Sequence, residues 1–250
     1  MFNMECQIIV LAAGNGKRMD STLPKVMHKV GGKPMLDRVI TNAKQVSNEV
    51  ILVHSWQLEE HIACYKDICK FVLQPEPLGT AHAVYSAMDL IDENKIVAVL
   101  YGDNPLITVD IINDLLEHLV STNSAITTLC FKRDNPGQYG RIVTDELGNF
   151  LRIVEFKQAT SEELDITICN SGIMAFASGI LKKYLPTIFL EKPDKLKELY
   201  LTELVKIVKD AGEEVSYLLS SDHDIVVGVN TKQELEEANR TIARLTGVSS

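Results

Sequence analysis

The chain has few cysteines, and they follow neither a disulfide nor a metal-binding pattern. The count of 5 is odd and no C-x-x-C spacing occurs, so the sequence indicates no disulfide framework and no redox dithiol. His61, Cys64 and Cys69 suggest a metal knuckle, but no fourth ligand follows at a suitable spacing. Four of the cysteines lie in apolar stretches, which is typical of reduced, buried thiols in a cytoplasmic protein.

The sequence also lacks an excess of positive charge, and it lacks long apolar runs. The 25 Lys and Arg residues are outnumbered by 34 Asp and Glu residues, for a net charge of −9 at pH 7, which argues against nucleic-acid binding. The first apolar run, inside MFNMECQIIVLAAG, is about half a dozen residues long and too short for a signal sequence or a membrane span. We expect no nucleic-acid partner, no membrane partner and a cytoplasmic location.

No linker, repeat or low-complexity segment divides the 250 residues. We therefore predict one domain over residues 1–230, with two halves that meet near residue 123, and a C-terminal helix and tail over 231–250. In the first half, strands are predicted at 8–12, 50–54, 71–74 and 96–101, and helices at 35–46, 58–65 and 80–90. This alternation predicts an α/β fold with a parallel, doubly wound sheet.

The second half is richer in strands. They are predicted at 125–132, 141–145, 150–156, 166–177, 215–219 and 225–229, and helices at 179–185, 201–211 and 231–245. The sequence between the second and third of these strands, DELGN, predicts a hairpin turn.

The segment LAAGNGKRMDSTLPK at residues 11–25 is the most informative part of the sequence. The small residues at 12–14 let backbone amides approach a phosphate or a base, and Gly16 permits a tight turn. The segment is not a dinucleotide-binding G-x-G-x-x-G motif, because Arg18 and Met19 stand where the third glycine would fall. It is not a P-loop either, because G-K-[ST] is missing.

Positive charge is concentrated in this loop. Residues 15–33 contain 5 cations and the single acid Asp20; the cations are Lys17, Arg18, Lys25, Lys29 and Lys33. A solvated basic loop is the alternative interpretation. The glycine spacing, Pro24 before Lys25 and the position after the first strand favour an anion-binding site.

The stretch LAAGNGKRMDSTLPKVMHKVGGKP at residues 11–34 resembles the sugar-nucleotide pyrophosphorylases, and most closely the uridyltransferase domains that act on N-acetylglucosamine 1-phosphate. Seven further blocks follow in the order typical of that family: QPEPLGTAH from residue 74, YGDNPL from 101, YGRI from 139, VEFK from 154, NSGI from 170, YLT from 200 and GVN from 228.

The resemblance implies a Rossmann-like nucleotidyltransferase fold with a mostly parallel central sheet and a smaller, β-rich sugar-binding part. The nucleotide half would be about 1–123 and the sugar half about 124–230. The implied reaction is transfer of UMP from UTP to N-acetylglucosamine 1-phosphate, which gives UDP-N-acetylglucosamine and pyrophosphate. Mg²⁺ is the implied cofactor.

The resemblance also assigns the site residues. Arg18, Lys25 and Asp103 would be catalytic, and Asp103 and Asn230 would hold the metal. The implied nucleotide-binding residues are Leu11, Ala12, Ala13, Gly14, Gly16, Gln74, Gly79 and Thr80. The implied sugar-binding residues are Tyr101, Gly140, Glu155, Asn170 and Thr202.

Local sequence leaves simpler roles open for four of these side chains. Asp103 could be a turn acid before Pro105, and Gln74 a polar cap at a strand end. Asn230 could cap the last helix. Glu155 could form a strand-end salt bridge with Lys157.

The sequence departs from the family pattern at several points. Lys17 stands where Thr or Ser is usual, Glu203 replaces an Asp, and LKELY at 196–200 lacks the usual Gly-Glu-Tyr-Tyr. No hexapeptide repeats follow the last helix, so we expect no acetyltransferase domain. The alternatives are another sugar-1-phosphate uridylyl- or thymidylyltransferase, or a catalytically silent homologue that binds a sugar nucleotide.

The predicted last helix has one apolar stripe, formed by Leu235, Ala238, Ile242 and Leu245. The stripe is short and contains Ala, which favours packing on the same chain over pairing with a second copy. We therefore expect a monomer or a weak dimer.

Overall fold

A nine-stranded sheet runs through the protein. The computed structural model describes residues 5–14, 16–191 and 198–247, and of Lys17 and Glu191 only the backbone. The strands are β1 (Cys6–Leu11), β2 (Lys29–Val30), β3 (Lys33–Pro34), β4 (Glu49–His54), β5 (Lys70–Leu73), β6 (Ile96–Tyr101), β7 (Ile126–Lys132), β8 (Arg141–Thr144), β9 (Phe150–Val154), β10 (Ile168–Phe176) and β11 (Val215–Leu219). The helices are α1 (Met35–Val46), α2 (Thr80–Ser86), α3 (Val109–Ser121), α4 (Ser161–Leu164), α5 (Ile180–Glu191), α6 (Glu203–Asp210) and α7 (Lys232–Thr246).

The main path through the sheet has the order β11-β7-β10-β6-β1-β4-β5. Strand β10 pairs antiparallel with both of its neighbours, and the other pairs along this path are parallel. The hairpin β8–β9 joins the path through β10, while β2 and β3 form a separate two-stranded sheet. The predicted fold class, a Rossmann-like fold with a mostly parallel central sheet, is therefore confirmed.

Strand β1 lies at the switch point of this topology. The chain passes from β1 to β4 and β5 on one side and then returns to pair β6 with the other side of β1. Leu11 consequently has Val53 as its neighbour on one edge and Tyr101 on the other. Ligands of open α/β sheets bind in the crevice that forms at the carboxyl ends of such strands.

Alternate residues of β1 face two separate apolar layers. Ile9 packs with residues of α2, α5 and α6 on one face of the sheet, and Ile8 packs with residues of α1 and α3 on the other. All six residues of the strand are buried. This two-sided burial explains why the strand reads as a continuous apolar run and fixes the position of the loop that follows it.

The sequence analysis missed helix α3. Thr108 caps this helix by accepting a hydrogen bond from the amide of Ile111, and Ile112, Leu115, Leu116 and Leu119 form its buried stripe. The predicted helix at 58–65 was also wrong in type, because the chain there forms two 3-10 turns, Trp56–His61 and Ala63–Tyr65.

The predicted strand at 225–229 is not formed. The apolar residues of this segment are partly or fully buried, but its backbone bonds to a loop instead of a neighbouring strand. The Asn104 amide donates to the carbonyl of Val226 at 2.8 Å, and the amide of Val229 donates to the carbonyl of Asp103 at 2.8 Å. A short apolar run indicates that a segment is buried, but it does not show whether the backbone pairs with a strand or with a loop.

The cysteines agree with the prediction of mostly buried thiols, since only Cys64 is exposed. Within the described ranges, the one group of His, Cys, Asp and Glu side chains close enough to share a metal ion is Asp222, His223 and Asp224. His61 and Cys69 therefore do not form the knuckle that their spacing suggested. None of the helices in the described part of the chain is long and apolar enough to cross a membrane.

Helix α7 packs on its own chain, as expected. Thr231 and Glu234 form a capping box at its start. Buried Ala238, with Leu235 and Ile242 beside it, lies against a cluster formed by Val30, Met35, Leu106 and Val229. Leu245, the last member of the predicted stripe, is 54% exposed and remains outside this contact.

Because most of this stripe is covered by the same chain, we predict a monomer or a weak dimer in solution. Light scattering over a dilution series at micromolar concentration measures the mass directly. A trimer that persists on dilution would contradict the prediction.

Candidate active site

A cleft of about 620 Å³ opens at the carboxyl ends of β1 and β6. Every residue that the sequence analysis assigned to the nucleotide, sugar or metal lines this one cleft: Leu11, Ala12, Ala13, Gly14, Gly16, Arg18, Lys25, Gln74, Gly79, Thr80, Tyr101, Asp103, Gly140, Glu155, Asn170, Thr202 and Asn230. The fold thus brings together residues from both predicted halves of the chain.

Backbone donors line the floor of the cleft after β1. The amide of Ala12 bonds to the carbonyl of Val53 at 2.8 Å and continues the sheet. Among the hydrogen bonds of the described residues, none uses the amides of Ala13 and Gly14. These two N–H groups are therefore available to a ligand, and small side chains leave the approach to them open.

Gly16 is required by the position of Lys25. Its φ is +55°, and a Cβ atom there would lie 2.7 Å from Cβ of Lys25. Pro24, with φ of −52°, precedes the short 3-10 turn Lys25–Met27. Together the glycine and the proline hold Lys25 close beneath the glycine-rich loop.

Two cationic side chains, Lys25 and Arg18, contact the side-chain oxygens of Asp103 and Asn230 in the middle of the cleft. The Lys25 ammonium forms an ion pair with Asp103 and donates to Oδ1 of Asn230 at 3.0 Å. The Arg18 guanidinium also donates to Oδ1 of Asn230, at 3.2 Å, and to Oε1 of Gln138 at 3.3 Å. Asp103 is thus in contact with cleft residues, which a simple turn acid would not require.

The oxygens of Asp103 and Asn230 fit a hard divalent cation. Both contact the same ammonium group, so they converge on one point. Gly228 lies beside this point, since a Cβ there would be 3.6 Å from Oδ1 of Asp103 and 3.7 Å from Nδ2 of Asn230. Few protein oxygens with room for water and phosphate are what Mg²⁺ prefers. Thr231, not Asn230, caps α7.

Gln74 lies at the end of the cleft next to β5 and is buried. Its amide nitrogen donates to the carbonyl of Gly79 at 3.1 Å and contacts Nδ1 of His82 at 3.1 Å. The side chain is therefore held in one orientation by its own loop. Gly79 itself has φ of +113°, and a Cβ there would come within 2.3 Å of the Leu199 carbonyl, so no other residue fits.

Thr80 has a structural contact that the sequence analysis did not anticipate. Its hydroxyl oxygen accepts a hydrogen bond from the amide of Leu201 at 2.9 Å, while the amide of Ala81 donates to the carbonyl of Leu199 at 2.9 Å. Thr80 thereby ties the start of α2 to the segment that carries Thr202.

The polar side chains at the other end of the cleft are those of Glu155, directly after β9, of Asn170 on β10 and of Thr202, just before α6. Oε1 of Glu155 accepts a hydrogen bond from the Thr202 hydroxyl at 2.7 Å. Oδ1 of Asn170 accepts from the Thr128 hydroxyl at 2.8 Å and from the amide of Gly172 at 3.1 Å. Within the described part of the chain, Lys157 forms no ion pair with Glu155.

The pKa of the Glu155 carboxyl lies above its ordinary value. Burial is the main cause, and the charges of Glu198 and Glu203 act in the same direction. The hydrogen bond from Thr202 opposes them by stabilising the ionised form.

Several lining residues escaped the sequence analysis. They are Gln138, Tyr139, Glu198 and Tyr200, and the Tyr200 hydroxyl donates to Glu198 at 2.7 Å. Tyr139 Oη is buried and has no hydrogen-bond partner among the described residues. Tyr139 and Tyr200 begin the blocks YGRI and YLT, which was the available sequence signal, whereas Gln138 and Glu198 lie just outside those blocks.

Glu155→Gln should raise the melting temperature, and more so at pH 8 than at pH 4. Because the pKa of Glu155 is raised on folding, its ionisation destabilises the fold as pH rises through that pKa. At pH 4, below the ordinary pKa of the carboxyl group, Glu155 is mostly protonated in both the folded and the unfolded chain, so the difference is small. Glu213→Gln is the control of opposite sign, since hydrogen bonds from Lys183 and Tyr184 lower the pKa of Glu213. A pH-independent effect of Glu155→Gln, measured by thermal melts, would contradict the argument.

Curated relatives match the chain along nearly its full length. Bifunctional protein GlmU of Alkaliphilus metalliredigens is 38% identical over 242 residues, which are 96% of this chain and 53% of that protein. Bifunctional protein GlmU of Lactococcus lactis is 40% identical over 240 residues, which are 94% of this chain and 52% of that protein. The chain spans about half the length of the curated relatives it matches.

A crystal structure supports the fold independently. The crystallised protein is from Bacillus anthracis, and its name is that of a glucose-1-phosphate thymidylyltransferase. The two structures superpose with a TM-score of 0.75 and 19% sequence identity, and the match covers 94% of each chain. The profile of MobA-like NTP transferase domains matches residues 8–162, from β1 to α4, and so includes the glycine-rich loop, Lys25 and Asp103. The chain belongs to the family of MobA-like NTP transferase domains.

Proposed function

We propose that this protein transfers UMP from UTP to N-acetylglucosamine 1-phosphate and releases pyrophosphate. The observation that carries the proposal is the distribution of charged and polar groups along this cleft. Arg18 and Lys25 lie at its centre, free backbone amides lie on one side, and the polar groups of Glu155, Asn170 and Thr202 lie on the other. A nucleoside triphosphate and a sugar 1-phosphate have complementary polarity, since each is anionic at the end where they react.

In the proposed reaction, a phosphate oxygen of the sugar 1-phosphate attacks the α-phosphorus of UTP. The bond from this phosphorus to the bridging oxygen breaks, and pyrophosphate leaves with the electron pair. The obstacle is repulsion between anions, because two unit charges 4 Å apart interact by about 4 kcal/mol at an effective dielectric near 20. Neutralisation and alignment therefore supply most of the catalysis, and no proton-transfer base is needed.

Lys25 and Arg18 would act differently on the phosphates. The Lys25 ammonium is nearly enclosed, with 12% of its side chain exposed, and suits a point contact at the reacting phosphate. Arg18 is exposed and its planar guanidinium suits two phosphate oxygens at once. Its present partners, Gln138 and Asn230, lie on segments that follow the nucleotide half, so Arg18 links the two sides of the cleft.

Asp103 and Asn230 would hold a divalent metal, proposed to be Mg²⁺, which when bound neutralises phosphate charge and aligns the reacting groups. The two ligands come from loops that are bonded to each other by the amide of Val229 and the carbonyl of Asp103. This hydrogen bond keeps the ligand positions fixed before any substrate binds.

Base and sugar would be read at opposite ends. The free amides of Ala13 and Gly14, together with Oε1 of Gln74, offer donors and an acceptor to a uracil ring. At the other end, Glu155 and the Asn170 amide would bind sugar hydroxyls or an acetamido group. The order of these groups supports a sugar nucleotide as product.

Pyrophosphate release with UTP and N-acetylglucosamine 1-phosphate tests the proposal. The panel includes dTTP and glucose 1-phosphate, the substrates implied by the name of the structural relative. The highest kcat/KM is expected for the UTP and N-acetylglucosamine 1-phosphate pair. A preference for dTTP or for an unsubstituted hexose 1-phosphate would contradict the proposal and indicate another sugar-1-phosphate nucleotidyltransferase. Binding of the substrates without turnover would indicate a catalytically silent homologue.

Asp103→Ala should lower the turnover number by roughly 10²- to 10³-fold, because the variant loses a charged ligand for the metal. Asp114→Ala is the matched control, since it removes an exposed carboxylate of α3 outside the cleft. Circular dichroism checks that both variants fold. Turnover of Asp103→Ala within a few-fold of the parent would exclude the metal role.

Lys25→Ala should reduce the turnover number strongly, by roughly 10²-fold, whereas Arg18→Ala should raise the KM for UTP and also reduce turnover. Lys33→Ala serves as the control for net charge, because Lys33 is an exposed cation of β3 outside the cleft. Lys17→Thr, at a side chain outside the described residues, is expected to be nearly neutral. A larger loss from Lys17→Thr than from Arg18→Ala would show that the loop was read incorrectly.

A further inference from the structure

Arg141 is a buried cation with unusual surroundings. Only 2% of the residue is exposed, and among the described residues it forms no ion pair with a carboxylate. Its guanidinium instead donates to backbone carbonyls, those of Tyr139, of Gly137 at 3.0 Å and of Leu164 at 3.4 and 3.5 Å. Buried arginines are normally paired with an acid, so this arrangement calls for an explanation.

The backbone of Arg141 lies directly beneath the sugar end of the cleft. Arg141 pairs with Val154 of β9 on one side and with Cys169 of β10 on the other. The next row of this antiparallel ladder contains Gly140, Glu155 and Asn170, which the proposed function assigns to the sugar. The amide of Asn170 donates to the carbonyl of Gly140 at 2.9 Å and holds that row together.

The side chain of Arg141 secures the segment that leads into this row. Two of its acceptors, Gly137 and Tyr139, flank Gln138, which contacts Arg18 across the cleft. The third acceptor, Leu164, ends helix α4. One rigid, planar group with five donors can bind three carbonyls that point at it from different segments. An apolar side chain of the same size would leave these carbonyls buried and unpaired.

We infer that Arg141 is a positioning residue for the sugar 1-phosphate: it fixes loop 137–139 and thereby sets the row of Gly140, Glu155 and Asn170 that lines the sugar end of the cleft. This inference rests on the proposed function. It assigns Arg141 no contact with substrate. Among the described residues, the hydrogen bonds of the Arg141 guanidinium go to the loop 137–139 and to Leu164, and none goes to the residues after β1.

Arg141→Met and Arg141→Lys test the inference in two ways. Displacing a substrate-binding row by a fraction of an ångström to an ångström should raise the KM for the sugar 1-phosphate by roughly 10- to 100-fold, while the KM for UTP changes by less than about threefold. Arg141→Lys should be intermediate, because an ammonium keeps the charge but cannot bind all three carbonyls. If Arg141→Met does not fold, the Lys variant carries the comparison.

Amide hydrogen exchange gives a readout that does not need turnover. The amides of Tyr139, which bonds to the carbonyl of Pro136, and of Asn170 should exchange at least about tenfold faster in the Arg141 variants. Gln7→Met is the matched control. Gln7 is a polar residue with 1% exposure near the start of β1, away from the cleft, and its side chain also bonds to three groups, namely the Glu49 carboxylate, the Leu90 carbonyl and the amide of Asp92.

The outcomes separate this inference from the proposed function. Gln7→Met is expected to lower the melting temperature without changing either KM or the exchange of Tyr139 and Asn170. Unchanged exchange of these amides in both Arg141 variants would overturn the inference, as would equal increases in the two KM values. If the parent enzyme turned over no sugar 1-phosphate, the proposed function would fail, and the exchange measurement would still decide whether Arg141 anchors the loop.

Discussion

The arrangement of the site depends on one constraint, the parallel pairing of β1 with a strand on each edge. Leu11 ends β1 beside Tyr101 of β6, and the amide of Gly102 donates to the carbonyl of Leu11 at 2.9 Å. The glycine-rich loop and the loop that carries Asp103 therefore leave the sheet side by side. If this register shifted, the loop that leads to Lys25 and the loop that carries Asp103 would no longer leave the sheet side by side.

The local charge of the cleft contrasts with the charge of the whole chain. A protein with a net charge of −9 repels polyanions at a distance, so the proposed binding of phosphates would depend on groups that act at contact. In the proposed function, Lys25, Arg18 and the amides after β1 that have no partner among the described residues would supply such groups. Glu155 and Glu198 lie at the end of the cleft that is proposed to hold the sugar, where a neutral ring would not oppose their charge and where buried Glu155 has a raised pKa.

Parts of the chain far apart in sequence complete the cleft through backbone contacts. The segment 225–229 does not join the sheet, yet its hydrogen bonds to the loop of Asp103 and Asn104 bring Asn230 to within 3.0 Å of the Lys25 ammonium. In the same way, Gly79 lets the segment near Leu199 approach α2, and that segment carries Thr202. Irregular segments tied to the sheet edge, and not further strands, close the site.

Sequence alone was sufficient for the α/β class and for most strand positions, because these follow from local patterns, while the resemblance to a known family indicated the residues that line the cleft. Buried strands read as apolar runs, and the loop after β1 combines glycine with cations. The stripe of α3 was present in the sequence and was overlooked. Other features depended on contacts between distant residues, which no local pattern encodes. The three-dimensional packing alone decided that 225–229 bonds to a loop, that Gln138 faces Arg18, and that Arg141 is buried among carbonyls, because a backbone group or a buried charge takes whichever partner the fold brings within reach.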